Sequence, residues 1–274
     1  MSEYKPIHDG HAIEQAVVGL RLFEPASDDV YGNATACAER LAKENDRLPG
    51  KLQVDPMALF FGRQVISSGY VRSLEAQPGV VFHRVRPDGS TAEELTVERT
   101  AVTFRTHEYR RWSDMVECIN HLLIPVARTL ANDNISNVSV IELRCIDRFN
   151  SDDQSIALSE LVRSNSPYVP HSAMNRSEMQ HVHCGWFEDT SPQGRRLINI
   201  NIDVADEAVR SASIFQMISR QSSQPGALFD GEKPFAEVVI EEFNEMHQID
   251  KRLLAELLTD ELQSRIQLFG SGNP

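Results

Sequence analysis

The stretch Val138-Ser139-Val140-Ile141-Glu142-Leu143-Arg144-Cys145-Ile146-Asp147-Arg148-Phe149-Asn150 decides the fold class of this chain. Its β-branched and aliphatic residues read as a long, mostly buried strand over 138–148 that ends in a polar cluster. Just upstream, Tyr109 to Ala131 repeats Met115, Ile119, Leu122 and Val126 at helical spacing, which predicts an amphipathic helix kinked at Pro125. Before that helix lie three predicted strands, 66–73, 79–86 and 94–106. Pro87-Asp88-Gly89-Ser90 makes a hairpin turn between the last two, because Gly89 can take the positive φ such a turn needs. Strands, helix and strand in this order point to antiparallel sheet with helices on one side.

Further toward the N-terminus, Val18, Leu20 and Leu22 alternate with Gly19, Arg21 and Phe23, predicting a strand over 12–24 closed by Pro25. Ser27 and Asp28 are suited to cap a helix over 28–47, which Pro49-Gly50 ends. The run Leu59-Phe60-Phe61 within 51–65 is too short to assign. Downstream of the central strand, 151–177 is rich in Ser, Asn and Asp, holds Pro167 and Pro170, and reads as a junction with a short helix over 155–163. Strands follow at 179–188, 197–204 and 211–220, with Leu197-Ile198-Asn199-Ile200-Asn201-Ile202-Asp203-Val204 the clearest alternation in the chain. From Phe235 to Ile266 apolar residues recur at helical spacing. The expected architecture is α+β: two helix-backed antiparallel sheets with a long C-terminal helical segment. Its N-terminal half is 1–150, its junction 151–177 and its C-terminal half 178–274. The halves share an order of elements without a residue-level repeat, which leaves a duplication open.

At 274 residues the chain can bury a sizeable core without staples. Its net charge of -13 favours solubility and argues against a duplex-DNA or membrane-surface role for the whole chain. Cys37, Cys118, Cys145 and Cys184 form no CxxC pair and read as free thiols. The N-terminus has no apolar signal-peptide core and no run of about 18 apolar residues occurs, so the expected location is the cytoplasm.

Several segments, in order, resemble the sporadically distributed bacterial TIGR04255 family. Pro6 to Phe23 is similar to its opening strand, and Thr100 to Trp112 to its strand followed by Tyr-x-x-Trp, here Tyr109 and Trp112. Leu143-Arg144-Cys145-Ile146-Asp147 stands where the family has Leu-Arg-Tyr-Ile-Asn. Met246-His247-Gln248 and Leu257-Leu258-Thr259-Asp260-Glu261 resemble its C-terminal helix. Cys145, Asp147 and Gln248 depart from the pattern, so a polar role tied to Asn or Asp there does not carry over. The resemblance brings no reaction with it. It implies a genomic setting, among mobile or defence-associated genes, and through that a subunit of a bacterial defence or toxin–antitoxin system.

Candidate sites each have a plain alternative. His181 and His183 share one face of a strand and are the sharpest metal candidates, with His171 as a third ligand; a hydrogen-bonded surface pair is the alternative. Arg144, Asp147 and Arg148 end the central strand and can grip an anion or a partner chain, or form an internal ion-pair network. Phe243, Met246 and His247 on the C-terminal helix are candidate partner contacts, against simple packing on the chain's own sheet. His107, Glu108, Arg110 and Arg111 precede Trp112 at a helix start, where acid–base work competes with ordinary dipole compensation. Asp203, Asp206 and Glu207 suit a cation or a solvated turn. Arg63, Arg72, Arg84 and Arg86, with Tyr70, Phe82 and Phe104, make a candidate nucleic-acid face, although nucleic acid is not an expected partner of this chain alone.

No Walker loop, metal box or Ser/Cys triad pattern occurs. The expectation is a non-enzymatic adaptor subunit with protein partners, such as an ATPase or nuclease encoded nearby, with no cofactor and no membrane; a homo-oligomer is open. Two rivals stand beside it: a small-ligand or nucleotide sensor with a pocket at the junction, and a hydrolase or nuclease with a dispersed site.

Overall fold

The computed structural model describes residues 3–54, 79–176, 178–190, 194–206, 209–222, 224–226 and 233–269. Its strands in chain order are β1 (Lys5–Pro6), β2 (Ile13–Leu22), β3 (Gly50–Val54), β4 (Gly79–Val85), β5 (Thr91–Glu98), β6 (Ala101–Thr106), β7 (Val138–Ser151), β8 (Gln180–Thr190), β9 (Gly194–Asp206) and β10 (Arg210–Ser222). The α-helices are α1 (Asp28–Lys43), α2 (Trp112–Cys118), α3 (Ile124–Leu130), α4 (His171–Met174), α5 (Phe235–Leu257) and α6 (Asp260–Arg265).

Hydrogen bonding joins the ten described strands into one antiparallel sheet ordered β3-β4-β5-β6-β2-β7-β10-β9-β8, with β1 paired to the end of β7. The sequence predicts two sheets. They become one because β7, long enough for partners on both edges, lies between β2 and β10. Pairing order is the same on either side: β2 lies beside β6, the last strand before α2, and β7 lies beside β10, the last before α5. The antiparallel β2–β7 pair is therefore the centre of a twofold repeat in topology.

The helices pack on one face and share one hydrophobic core that runs through both halves. Strand alternation explains the sidedness. On β7, Ile141, Leu143, Cys145 and Phe149 are buried beneath the helices, while the even positions from Val140 to Asn150 are half-buried on the other face. Val17 and Val81 are buried but lie outside the helix-side core, which marks the second face on β2 and β4.

Some predicted elements resolve differently. The strand predicted over 94–106 is two strands, β5 and β6, because the Arg99 and Thr100 carbonyls turn away to accept from Ala26 N (2.9 Å) and Leu22 N (2.7 Å). The hairpin before β5 forms as expected, with Gly89 at φ 84° and Ser90 N bonded to Asp88 Oδ1 at 2.8 Å. The kink at Pro125 takes the form of a π-helical turn, Ile119–Leu123, ahead of α3. Proline has no N–H to return to the preceding turn, so the ladder widens there. The helix predicted over 155–163 is a 3-10 turn, Leu158–Glu160. The C-terminal helical run breaks at Leu258, which adopts extended backbone and pairs with Val162. The junction is thereby tied to the helix end, with Arg163 N bonded to Leu257 O at 2.8 Å. The strand expected at 66–73 lies outside the described residues. Among the described residues, no helix is long and apolar enough to cross a membrane.

Candidate functional site

The polar cluster at the end of β7 is divided between the two sheet faces. Arg144 and Arg148 point to the open face, where Arg144 pairs with Glu142, and Arg148 Nε lies 2.9 Å from Glu14 Oε2 with Nη1 2.9 Å from Ser211 Oγ. Asp147 points the other way and is buried under α5. The expectation of one joint grip by Arg144, Asp147 and Arg148 is corrected by parity, since 147 is odd and its neighbours in the cluster are even.

Phe243 and Met246 are fully buried in the core, so that stripe of α5 packs on its own sheet and is not a docking surface. His247 is half-buried and stacks on Trp112, with ring centroids 4.2 Å apart and planes at 11°. Trp112 Nε1 also donates to Asn244 Oδ1 at 2.7 Å. Together they clamp α5 to the start of α2. Burial holds the His247 imidazole down to about 4, so the stacked ring is neutral at ordinary pH.

Beneath α5 lies a buried polar group that the sequence reading did not assemble. Cys145 and Asp147 descend from β7, Gln216 faces Cys145 from β10, and Asp250 comes down from α5. Gln216 Nε2 donates to the Asp250 carbonyl at 3.2 Å, and the Cys145 thiol lies close to the Asp250 carboxyl. Burial pushes the Asp250 carboxyl up to about 7. Burial and the neighbouring Asp250 push Asp147 well above the usual carboxylate range, and burial raises Cys145 and Tyr109 as well. Among the described residues, Asp147 Oδ2 is buried with no hydrogen-bond partner. Two carboxyls in one apolar layer cannot both ionise cheaply, so the group holds protons at neutral pH. The signal for it was present: Asp147 falls on the apolar parity of β7, and Asp250 on the apolar stripe of α5 with Met246, Ile249 and Leu253.

A cleft of about 540 Å³ opens where the end of α1, β4, β5 and the start of α2 meet. It contains Glu108, Arg110 and Arg111, singled out in the sequence, and adds Arg47, Glu93 and Cys118, which were not. Glu93 is buried between two guanidiniums, Arg47 at 3.1 Å and Arg84 at 3.2 Å. Arg47 Nη2 also donates to Cys118 Sγ at 2.9 Å. Arg84 and Arg86 reach Glu108 at 2.8 Å and 3.3 Å, and these arginines hold the Glu108 carboxyl below its usual range. Arg84 and Arg86 are therefore committed within the chain. Phe82 and Phe104 are buried on the helix side and present no stacking platform. Arg63, Arg72 and Tyr70 lie outside the described residues.

His181 and His183 do share a face, the open one, on the outermost strand β8. Each is hydrogen-bonded across to β9, His181 Nδ1 to Asp203 Oδ1 at 2.6 Å and His183 to Asn201. Among the described residues no group of three His, Cys, Asp or Glu side chains is placed to hold a metal, and His171 does not join the pair. The side chains of Asp206 and Glu207 lie outside the description.

No protein-family model and no curated protein matches the chain. A solved structure, the crystal structure of the di-domain ARO/CYC BexL from the BE-7585A biosynthetic pathway, aligns over 95% of this chain and 99% of its own at 10% identity. The TM-score of that alignment is 0.19, a likeness too slight to bear on fold or activity.

Proposed function

We propose that this chain is a non-enzymatic adaptor subunit that docks a protein partner on the open face of its sheet. The observation that carries this reading is the one-sidedness of the ten-stranded sheet: among the described residues the helices cover one face, and the other presents Leu52 at one end and Phe187 at the other, 58% and 60% exposed. Half-buried Ile146, Met217 and Leu197 lie between them. A partner laid along this face would bury these apolar residues together at the centre of an interface. On this face Arg144 pairs with Glu142 and Arg148 with Glu14, which leaves less positive charge for a phosphate backbone. The resemblance to the TIGR04255 family supplies the context proposed for it, a bacterial defence or toxin–antitoxin assembly in which the partner carries the chemistry. Co-expression with the neighbouring genes, purification at moderate salt and mass measurement of what co-elutes tests the reading. A defined complex is expected; a chain that elutes without its soluble neighbours refutes it.

One observation favours a second reading. Arg110 is exposed at the rim of the cleft beside the Arg47–Glu93–Arg84 network, an arrangement that fits a small polar ligand of either charge. A thermal shift with a nucleotide or metabolite that is lost in Arg110→Ala would support it.

A further inference from the structure

The outer edge of β8 is the largest unmatched hydrogen-bonding surface in the described sheet. β8 runs for eleven residues, Gln180 to Thr190, and among the described residues pairs only with β9. An edge of this length presents a row of N–H and C=O groups ready to accept another strand. Proteins usually blunt such edges with bulges, prolines or inward-pointing charges. β8 contains no proline, and its pairing with β9 runs without a register shift from Gln180 to Thr190.

We propose that β8 pairs antiparallel with the β8 of a second copy of this chain, about a twofold axis through Gly185. Such an axis stands normal to the sheet and keeps both open faces on the same side, so residues i and j lie opposite each other at even i + j. Among these registers only the one centred on Gly185 overlaps all eleven residues. It sets His181 opposite Asp189 of the second copy, and His183 opposite Phe187, each twice by symmetry. His181 is then flanked by Asp203 in its own chain, at 2.6 Å, and by Asp189 across the interface. Asp189 is available for this: its side chain is 94% exposed, and its contact to Arg195 is a long 3.7 Å. Phe187, 60% exposed in the single chain, gains a ring neighbour. Gly185 crowds nothing at the axis, where a Cβ would already meet Asn199 Oδ1 at 2.2 Å. The purified chain alone makes this contact, so it stands or falls separately from the heterologous partner.

The test is mass by light scattering on the purified chain over a concentration series. A dimer is expected. Phe187→Lys and Asp189→Lys, both at exposed positions, should move it to monomer with unchanged circular dichroism, and His181→Asp combined with Asp189→Lys should recover dimer lost in Asp189→Lys. Register is read separately in a Cys184→Ser background, where His183→Cys combined with Phe187→Cys should yield a covalent dimer on oxidation. A wild-type monomer at every concentration overturns the proposal. So does a dimer indifferent to Phe187→Lys and Asp189→Lys.

Discussion

Replacing Asp250 with asparagine should make this protein more stable at neutral and alkaline pH. Asp250 is buried under α5 beside Cys145 and Asp147, and its carboxyl titrates near 7 against an ordinary 3.8. A carboxyl whose folded pKa is raised stabilises the fold while protonated. Its contribution is full below the ordinary value and is lost as pH rises to the folded value. The span from 3.8 to about 7 is worth about 4 kcal/mol of stability, lost between mild acid and neutrality. Asparagine keeps the shape and a hydrogen-bond acceptor for the Cys145 thiol but cannot ionise. Urea unfolding of wild type and Asp250→Asn from pH 4 to pH 8 should show the variant's advantage widening by about 3–4 kcal/mol. The general repulsion of an acidic chain is present in both proteins and cancels, while Asp147, which Asp250 pushes up, is relieved in the variant and so acts in the same direction. A difference that stays constant over this range would refute the reasoning.

Other outcomes follow from the same packing. Glu93→Gln should cost about 2 kcal/mol in urea unfolding, because it leaves Arg47 and Arg84 without their shared carboxylate. A double-mutant cycle on Trp112 and His247 should give about 1 kcal/mol of coupling. The stability that the neutral His247 ring contributes should be present above the ordinary histidine value of 6.5 and lost as pH falls toward 4, since burial favours the neutral ring. Phe104→Ala, at a position with no exposed surface, should cost about 3–5 kcal/mol in the same unfolding measurement.

The elements were largely legible because their periods are clean. β7, β9, β10 and α5 all lie close to where alternation or helical spacing puts them. The single sheet was not legible, because nothing in a strand's own sequence says which strand lies on its second edge; β7 reads the same with one partner or two. The break at Arg99-Thr100 lacks glycine and proline, and backbone bonds to Leu22 and Ala26 create it. The site residues divide in the same way. His181 and His183 share a face as their spacing requires, and the parity of Asp147 separates it from Arg144 and Arg148. Asp250 meeting Cys145, and Arg47 meeting Glu93, are contacts between elements distant in sequence, which composition and spacing do not reveal.

The central claim is that the open face of the sheet, and not the helical face, receives the partner. The direct test is the affinity of the co-purified partner for three proteins: wild type, Met217→Arg on the open face of β10, and Gln248→Arg on the exposed side of α5. The expected result is a loss of at least tenfold for Met217→Arg and no change for Gln248→Arg, a difference of roughly 1.4 kcal/mol or more. Equal binding by Met217→Arg and wild type, or a loss confined to Gln248→Arg, would contradict it.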